Sequence, residues 1–297
     1  MKYYAVRKGR STGIFIDWLK CQESVKGYKG AEFKSFTDET SAKLYLTKVE
    51  ETEVPDEITS DFMIAYIDGS YNSNTERYGS GLVVLDYNKH IQYTKCFSDA
   101  RLDAVSMRNI AGEVQAALLA MEYAQAHGFK KLIINYDYEG IAKWCNGMWQ
   151  ANKTMTKYYQ DTYNHYKKNI KIYFNKIDAH TGEVFNELAD QLAKYSIGLT
   201  DEISILAWQV AAAVQNMQDK LQEYLYEQID IRLATQIAVE FIQEINSHLV
   251  MSAELASDIC IGETRIRVKS SNYDAKLILP IRFSGNTVEI GDYLYDM

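Results

Sequence analysis

Proline is nearly missing from this chain of 297 residues, with two in all, and cysteine is sparse, with four. Few prolines leave helices and strands free of forced breaks and argue against a disordered Pro-rich chain. Cys21, Cys96, Cys145 and Cys260 are scattered and form no C-x-x-C pair. Disulfides and zinc sites are therefore not expected, and a reducing cytoplasm is the expected setting. The most apolar stretch, Ile205 to Val214, falls well short of the ~20 residues that span a bilayer, so no membrane partner is expected. The opening MKYYAVRKGR lacks an apolar h-region, so a secretory leader is not expected either. What is plentiful is tyrosine, 23 residues, within a composition 47% hydrophobic and 12% aromatic. Such a chain folds, and it is long enough for two or three domains.

A net charge of -8 argues against a polyanionic ligand only until it is divided along the chain. Residues 1–47 hold nine Lys/Arg against five Asp/Glu, and residues 48–61 hold one Lys against six acids. Residues 62–198 are balanced, fifteen basic against fourteen acidic, and residues 199–297 hold seven against fifteen. The acidity lies in a linker and a tail, and the first segment is basic.

Periodicity divides the chain at the same places. Residues 1–47 predict a small α/β module: strands over 3–6 and 13–15, a helix over 18–25, and a second helix capped by Asp38 and running to Leu46. Residues 48–61, with Pro55 and no periodicity, read as a tether whose root-mean-square span is ~20 Å. Residues 62–198 predict three strands (62–68, 81–87, 91–96) and a helix over 109–127 closed by Gly128. A strand over 132–136, helices near 138–145 and 153–169, a strand over 170–177 and a helix over 185–196 follow. Three strands and then helix–strand alternation predict a mixed five-stranded sheet of the α/β (α+β) class. Beyond Leu199, Ile203, Leu206, Val210, Val214 and Met217, continued through Phe241 and Ile245, predict one long helix or a helical hairpin. Strands over 264–269, 275–283 and 287–290 end the chain, so residues 199–297 read as an α+β module of their own. Their apolar stripe is expected to be core, or a seam for self-association or a protein partner.

Four acids stand out by their settings: Asp68 in IAYIDGSY, Glu113 in RNIAGEVQAAL, Asp137 in LIINYDYEGI and Asp190 in NELADQLAK. Asp68 and Asp137 each follow an apolar run, which places them at strand ends. Glu113 and Asp190 each lie in an amphipathic helical pattern. Carboxylates gathered in this way form a hard oxygen cage for divalent cations. Two like charges within about 4 Å repel by ~4 kcal/mol at an effective dielectric near 20, so such a cluster needs a cation.

At these residues the chain resembles the type 1 ribonuclease H family, through YIDGSY from Tyr66, GEVQAA from Gly112, YDYEGI from Tyr136, and AHTG with NELADQLAK from Ala179. Residues 1–47 resemble the viroplasmin-like hybrid-binding domain, through YYAVRKGRSTGIF, Trp18, Cys21, Val25 and GAEFKSF from Gly30. The first resemblance implies that Asp68, Glu113, Asp137 and Asp190 hold two Mg²⁺ or Mn²⁺ ions, and that His180 assists in proton transfer or product release. It implies that Asn74, Asn109 and Glu113 sense the ribose 2′-OH, that Trp144 and Trp149 line the DNA-strand channel, and that Arg108 meets a phosphate. Ile110 stands where the family often has a second amide, a departure that bears on 2′-OH contact. The second resemblance implies that Tyr4, Trp18, Phe33 and Lys34 grip a duplex. Ser35 falls where a second lysine is common, which predicts a shallower salt dependence.

The activity implied is endonucleolytic hydrolysis of the RNA strand in RNA/DNA hybrids, with double-stranded RNA a second ligand of the first module. Two other readings stay open: a non-catalytic scaffold for hybrid or double-stranded RNA, and a DNA nuclease on the same fold.

Overall fold

The computed structural model describes residues 2–46, 54–178, 182–224, 227–248 and 251–296. The basic first segment folds as β1 (Tyr3–Lys8), β2 (Gly13–Phe15), α1 (Trp18–Val25), β3 (Glu32–Phe36) and α2 (Glu39–Leu46). Its antiparallel sheet has the order β2-β1-β3. Asp17 caps α1 by accepting from Leu19 N at 2.9 Å, and Asp38 accepts from Ser41 N at 2.7 Å at the start of α2. Two small cores result, one around Ala5, Phe36, Ala42 and Tyr45 and one around Val6, Cys21 and Val25. Much of the tether from residue 48 lies outside the described residues.

The second segment comprises β4 (Phe62–Asn72), β5 (Arg77–Leu85), β6 (Ile91–Asp99), α3 (Leu102–Val105), α4 (Asn109–Ala126), β7 (Lys131–Tyr136), α5 (Gly140–Cys145), α6 (Thr154–Tyr166), β8 (Lys171–Lys176) and α7 (Val184–Tyr195). Its five strands run in the order β6-β5-β4-β7-β8. β4 pairs antiparallel with β5 and parallel with β7, so the sheet changes direction at β4. Alternation along β4 divides the interior: Met63, Ala65 and Ile67 join the core under α4, while Phe62 and Ile64 join the core under α7. One expectation is corrected here. β4 does not end at Asp68 but continues to Asn72, because the hairpin with β5 keeps pairing to Asn72↔Arg77 after the parallel pairing with β7 stops at Tyr66↔Asn135.

The third segment is α8 (Glu202–Tyr224), α9 (Ile231–Ser247), β9 (Met251–Leu255), β10 (Gly262–Ser270), β11 (Lys276–Ser284), β12 (Thr287–Ile290) and β13 (Leu294–Tyr295). The apolar stripe is thus a helical hairpin, and its sheet has the order β12-β11-β10-β9, with β13 also on β11. The expected helical and β module is present, and it packs on its neighbour. Leu206, Val210, Met217, Ile237 and Phe241 share one continuous core with Ile64, Val83, Leu85 and Ile91 of the five-stranded sheet and Phe185 and Leu188 of α7. Much of the apolar stripe is thus covered within the chain. Polar ties mark the junction: Asn216 Nδ2 donates to Lys89 O at 3.1 Å, and Ile91 N donates to His248 Nδ1 at 3.3 Å. Burial first, and then His90, lower the His248 pKa to about 4, so it stays neutral and keeps accepting. Among the described residues no helix is long and apolar enough to cross a membrane.

A shared core predicts shared unfolding. Phe241→Ala is expected to destabilise by about 3–5 kcal/mol and to lower the midpoint of the five-stranded unit together with the tail. Denaturant unfolding followed by tryptophan fluorescence and by far-ultraviolet circular dichroism checks this, with superimposable curves expected.

Candidate active site

Two close backbone contacts bring the four acids together. A Cβ at Gly69 would collide with Asn109 O and Glu113 N, so α4 lies directly on β4 and sets Glu113 beside the strand that bears Asp68. On the other face, Asp68 pairs with Gly81, and a Cβ at Gly81 would collide with Ala189 O of α7. The glycine thus seats α7 beside Asp68 with Asp190 next in sequence. Asp137 follows the last residue of β7, the parallel neighbour of β4, and Tyr138 N donates to Glu113 Oε1 at 3.2 Å. Four acids from four elements meet where the sheet changes direction, the place where open α/β sheets bind ligands.

Their electrostatics record the meeting. Glu113 is 2% exposed and Asp190 7%. Burial, then Asp190, then Asp137 push Asp68 up to about 8, against a bond from Gly69 N and the charge of Lys194. Burial, then Asp137, then Asp68 hold Glu113 well above the usual carboxylate range. The nearest counter-charge is Lys194, whose Nζ lies 2.5 Å from Asp190 Oδ2. Among the described residues no group of three or more His, Cys, Asp or Glu side chains is closed around a metal position. The carboxylates instead turn to local donors: Asp68 accepts from Gly69 N at 2.6 Å, Glu113 from Tyr138 N, and Asp190 from Lys194. Mutual repulsion explains the splaying. Hard oxygen donors in excess of positive charge, buried and destabilised by one another, fit a divalent cation.

Beside the acids, Ser106, Arg108, Asn109, Ile110, Gln150 and Lys153 line a cleft of about 390 Å³, and the edge of Trp144 reaches it. Arg108 holds φ 55° and ψ -130°, an unfavourable conformation for a side-chain-bearing residue, directly before α4. Its guanidinium stands 6.0 Å from the centre of the Tyr71 ring. Lys153 Nζ donates to Ser106 Oγ at 3.2 Å across the mouth. Sequence reasoning missed Lys153 and Ser106. A lysine before a Thr-x-Thr helix start is the available signal, since the Thr156 hydroxyl accepts from Lys153 N at 3.2 Å where α6 begins. Trp144 is core at 8% exposure, with Trp149 edge-on at 5.9 Å, so Trp149 is the more accessible member of the pair. Asn74 lies in the exposed turn after β4, away from the cleft lining, its N–H bonded to Asn72 Oδ1 at 3.0 Å. His180 lies outside the described residues.

In the first module Trp18 and Phe33 are each 41% exposed, with ring centres 6.1 Å apart, and Tyr4 lies 5.2 Å from Trp18. Trp18 and Phe33 are surface rings, and Tyr4 beside them also packs on the Val6, Cys21 and Val25 core. Lys34 departs from the expectation. In the β1–β3 register it pairs with Ala5 while Phe33 pairs with Val6, so it projects from the opposite face. Its Nζ donates to Met148 O of the second segment at 2.7 Å, and burial lowers its pKa.

A carboxylate raised from its ordinary value near 3.9 to about 8 favours the folded state while protonated. That stability is full below pH ~4 and is lost as pH rises through about 8. In EDTA the unfolding midpoint is expected to fall between those limits, and Mg²⁺ is expected to restore it on the alkaline side. Midpoints measured across pH with and without Mg²⁺ check this.

Comparison with known proteins agrees with this geometry. Residues 2–46 match the family model described as the Ribonuclease H1 N-terminal domain, and residues 60–197 match the RNase H model. Homo sapiens Ribonuclease H1 is 23% identical over 257 residues, covering 65% of this chain and 88% of that protein. Saccharomyces cerevisiae Ribonuclease H is 50% identical over 44 residues, 15% of this chain and 13% of that protein. The crystal structure of RNase H1 from Halobacterium salinarum NRC-1 aligns with a TM-score of 0.40 at 21% identity, covering 47% of this chain and 99% of that one. Ribonucleases H generally use divalent metal ions, which suits the acidic centre. With both of its family models matched in order along one chain, this protein belongs to the type 1 ribonuclease H family.

Proposed function

We propose that this protein is an endoribonuclease that hydrolyses the RNA strand of RNA/DNA hybrids and leaves 5′-phosphate and 3′-hydroxyl ends. One observation carries the reading: Asp68, Glu113, Asp137 and Asp190 arrive from separate stretches of chain at one site, where burial and the neighbouring carboxylates push the Asp68 and Glu113 carboxyls up. These four residues would hold two divalent cations, Mg²⁺ or Mn²⁺, which supply the positive charge and Lewis acidity that phosphodiester hydrolysis requires.

The remaining residues bind and orient. Arg108 and Lys153 place two cations at the cleft, where the Arg108 fork suits a backbone phosphate. Asn109 follows Arg108 at the α4 start and offers an amide to a ribose 2′-OH, with Ile110 beside it contributing contact and no hydrogen bond. Asn74 takes the same task at the turn after β4. Trp149 and the edge of Trp144 supply an apolar wall for a deoxyribose. His180 keeps the assisting role in proton transfer or product release that the family motif gives it. The Tyr4–Trp18–Phe33 ladder grips a duplex from the first module, and the tether raises the local concentration of substrate into the ~mM range. Four free cysteines support a reducing compartment, the cytoplasm.

A cleavage assay on labelled hybrid, duplex RNA and duplex DNA, with EDTA as control, tests the reading. Cutting of the hybrid's RNA strand alone is expected, and it stops in EDTA. Cutting of duplex DNA would point to a DNA nuclease, and binding without cutting to a scaffold. Asp68→Asn is expected to lower turnover by more than about 100-fold, beyond the usual effect of losing a supporting contact to a metal ligand, while hybrid affinity is kept. Arg108→Gly removes the strained φ at no steric penalty, so a higher unfolding midpoint with a higher KM for hybrid is expected. Thermal unfolding and steady-state kinetics on the same sample measure the two together.

A further inference from the structure

Asp68 and Asp190 stand on different elements, and near them the helix runs over glycines. α7 lies against Gly79 and Gly81 of β5, where added Cβ atoms would collide with Ala193 O and Ala189 O. Glycines allow the close approach. They offer no side chain to interlock at that point, so beside the acids the axial position of α7 depends on contacts to either side.

It is set at both ends of the helix, from β4. At the start, Glu183 caps α7 by accepting from Asn186 N at 2.8 Å. The phenol of Tyr66 reaches the same carboxylate, and the Tyr66 ring packs on Phe185 with centres 5.4 Å apart. Just beyond the last turn, Asn72 Nδ2 donates to Ile197 O at 3.1 Å. Tyr66, Asp68 and Asn72 share one face of β4 by strand alternation. Glu183, Asn186 and Asp190, at i, i+3 and i+7, share one face of α7. Asp68 therefore lies between the two ties on the strand, and Asp190 lies between them on the helix.

We propose that Tyr66 and Glu183, with Asn72 at the far end, are positioning residues that set the Asp68–Asp190 separation and so the affinity of the acidic centre for divalent cations. The inference rests on the four-acid centre described above. None of the three side chains needs to touch a cation. They resist the axial slip by which two repelling carboxylates would part.

Mn²⁺ binding to the full chain, followed by water-proton relaxation without nucleic acid, tests this beside the unfolding midpoint in EDTA. Tyr66→Phe keeps the ring against Phe185 and loses only the hydroxyl. It is expected to weaken Mn²⁺ binding by about tenfold, the scale of losing a supporting contact to a metal ligand, with little change in midpoint. Asn72→Ala is expected to do the same from the other end. Glu183→Gln still accepts from Asn186 N and from the phenol and should bind Mn²⁺ like wild type, whereas Glu183→Ala should not. Unchanged Mn²⁺ affinity in Tyr66→Phe and Asn72→Ala, or a lowered midpoint alone, overturns the clamp. Equal losses in Glu183→Gln and Glu183→Ala would assign the effect to charge and overturn it as well. Wild-type protein that takes up no Mn²⁺ would instead remove the acidic centre itself, a separate failure.

Discussion

Repulsion among four clustered carboxylates, with Glu113 and Asp190 buried, is the constraint around which the catalytic unit is built. Nothing in a folding chain favours gathering them. Desolvation and like charge both oppose it, and Asp68 at about 8 measures the opposition. The gathering is enforced by backbone contact. Gly69 admits α4 from one side of the sheet and Gly81 admits α7 from the other, each so closely that a methyl group would not fit. Apolar burial on both faces holds the helices down, with Val114, Ala117 and Met121 under α4 and Phe185, Leu188 and Leu192 under α7. Packing energy spread over many side chains thus holds an electrostatic arrangement that would relax apart by itself.

Within that enforced geometry the side chains still choose their partners. Asp68, Glu113 and Asp190 each rotate to the nearest N–H or ammonium donor, so their oxygens do not close on a common point. Among the described residues, the ammonium paired with these carboxylates is that of Lys194, on Asp190. Rotation about χ1 and χ2 is inexpensive relative to moving a helix. The backbone therefore supplies preorganisation, while the side chains supply a short adjustment when a cation enters.

Much of this was legible in the sequence, for identifiable reasons. Asp68 and Asp137 follow long β-branched runs, and alternation in FMIAYID and LIINYD fixes which residues point inward. Asp190 was legible only through the family motif, because an acid on an amphipathic helix is ordinarily solvated, whereas here it is 7% exposed. The elements that were missed are short: β3 with exposed Glu32, Phe33 and Ser35, the four-residue α3, β9, and the two-residue β13. Each is held by pairing or packing with distant residues, so its own pattern is weak. The face taken by Lys34 depended on the register with β1, and the φ of Arg108 on the sharp entry to α4. The helical period of residues 203–245 correctly marked a buried face. Period alone does not say what buries it, and the answer was the sheet's own open side.

That answer bears on the active site. α7 carries Asp190 on the side turned toward β4, and its outer side would face water if the chain ended after Tyr195. Instead α8 packs along it, with Leu206 and Val210 in the same core as Leu188 and Leu192, and Tyr273 meets Tyr195 edge-on at 5.2 Å. The helix is thereby held from behind by the acidic tail and from the front by the glycine track. Slip of α7 along the sheet would disturb that core as well. The tail, which contributes none of the four acids, therefore opposes it with apolar burial. Its acids meet local partners: Asp296 pairs with Arg267 on the outer sheet face, and the buried Glu244 lies beside His90 and Lys220. A segment that contributes none of the four acids thus helps hold the helix that carries Asp190 against the sheet that carries Asp68.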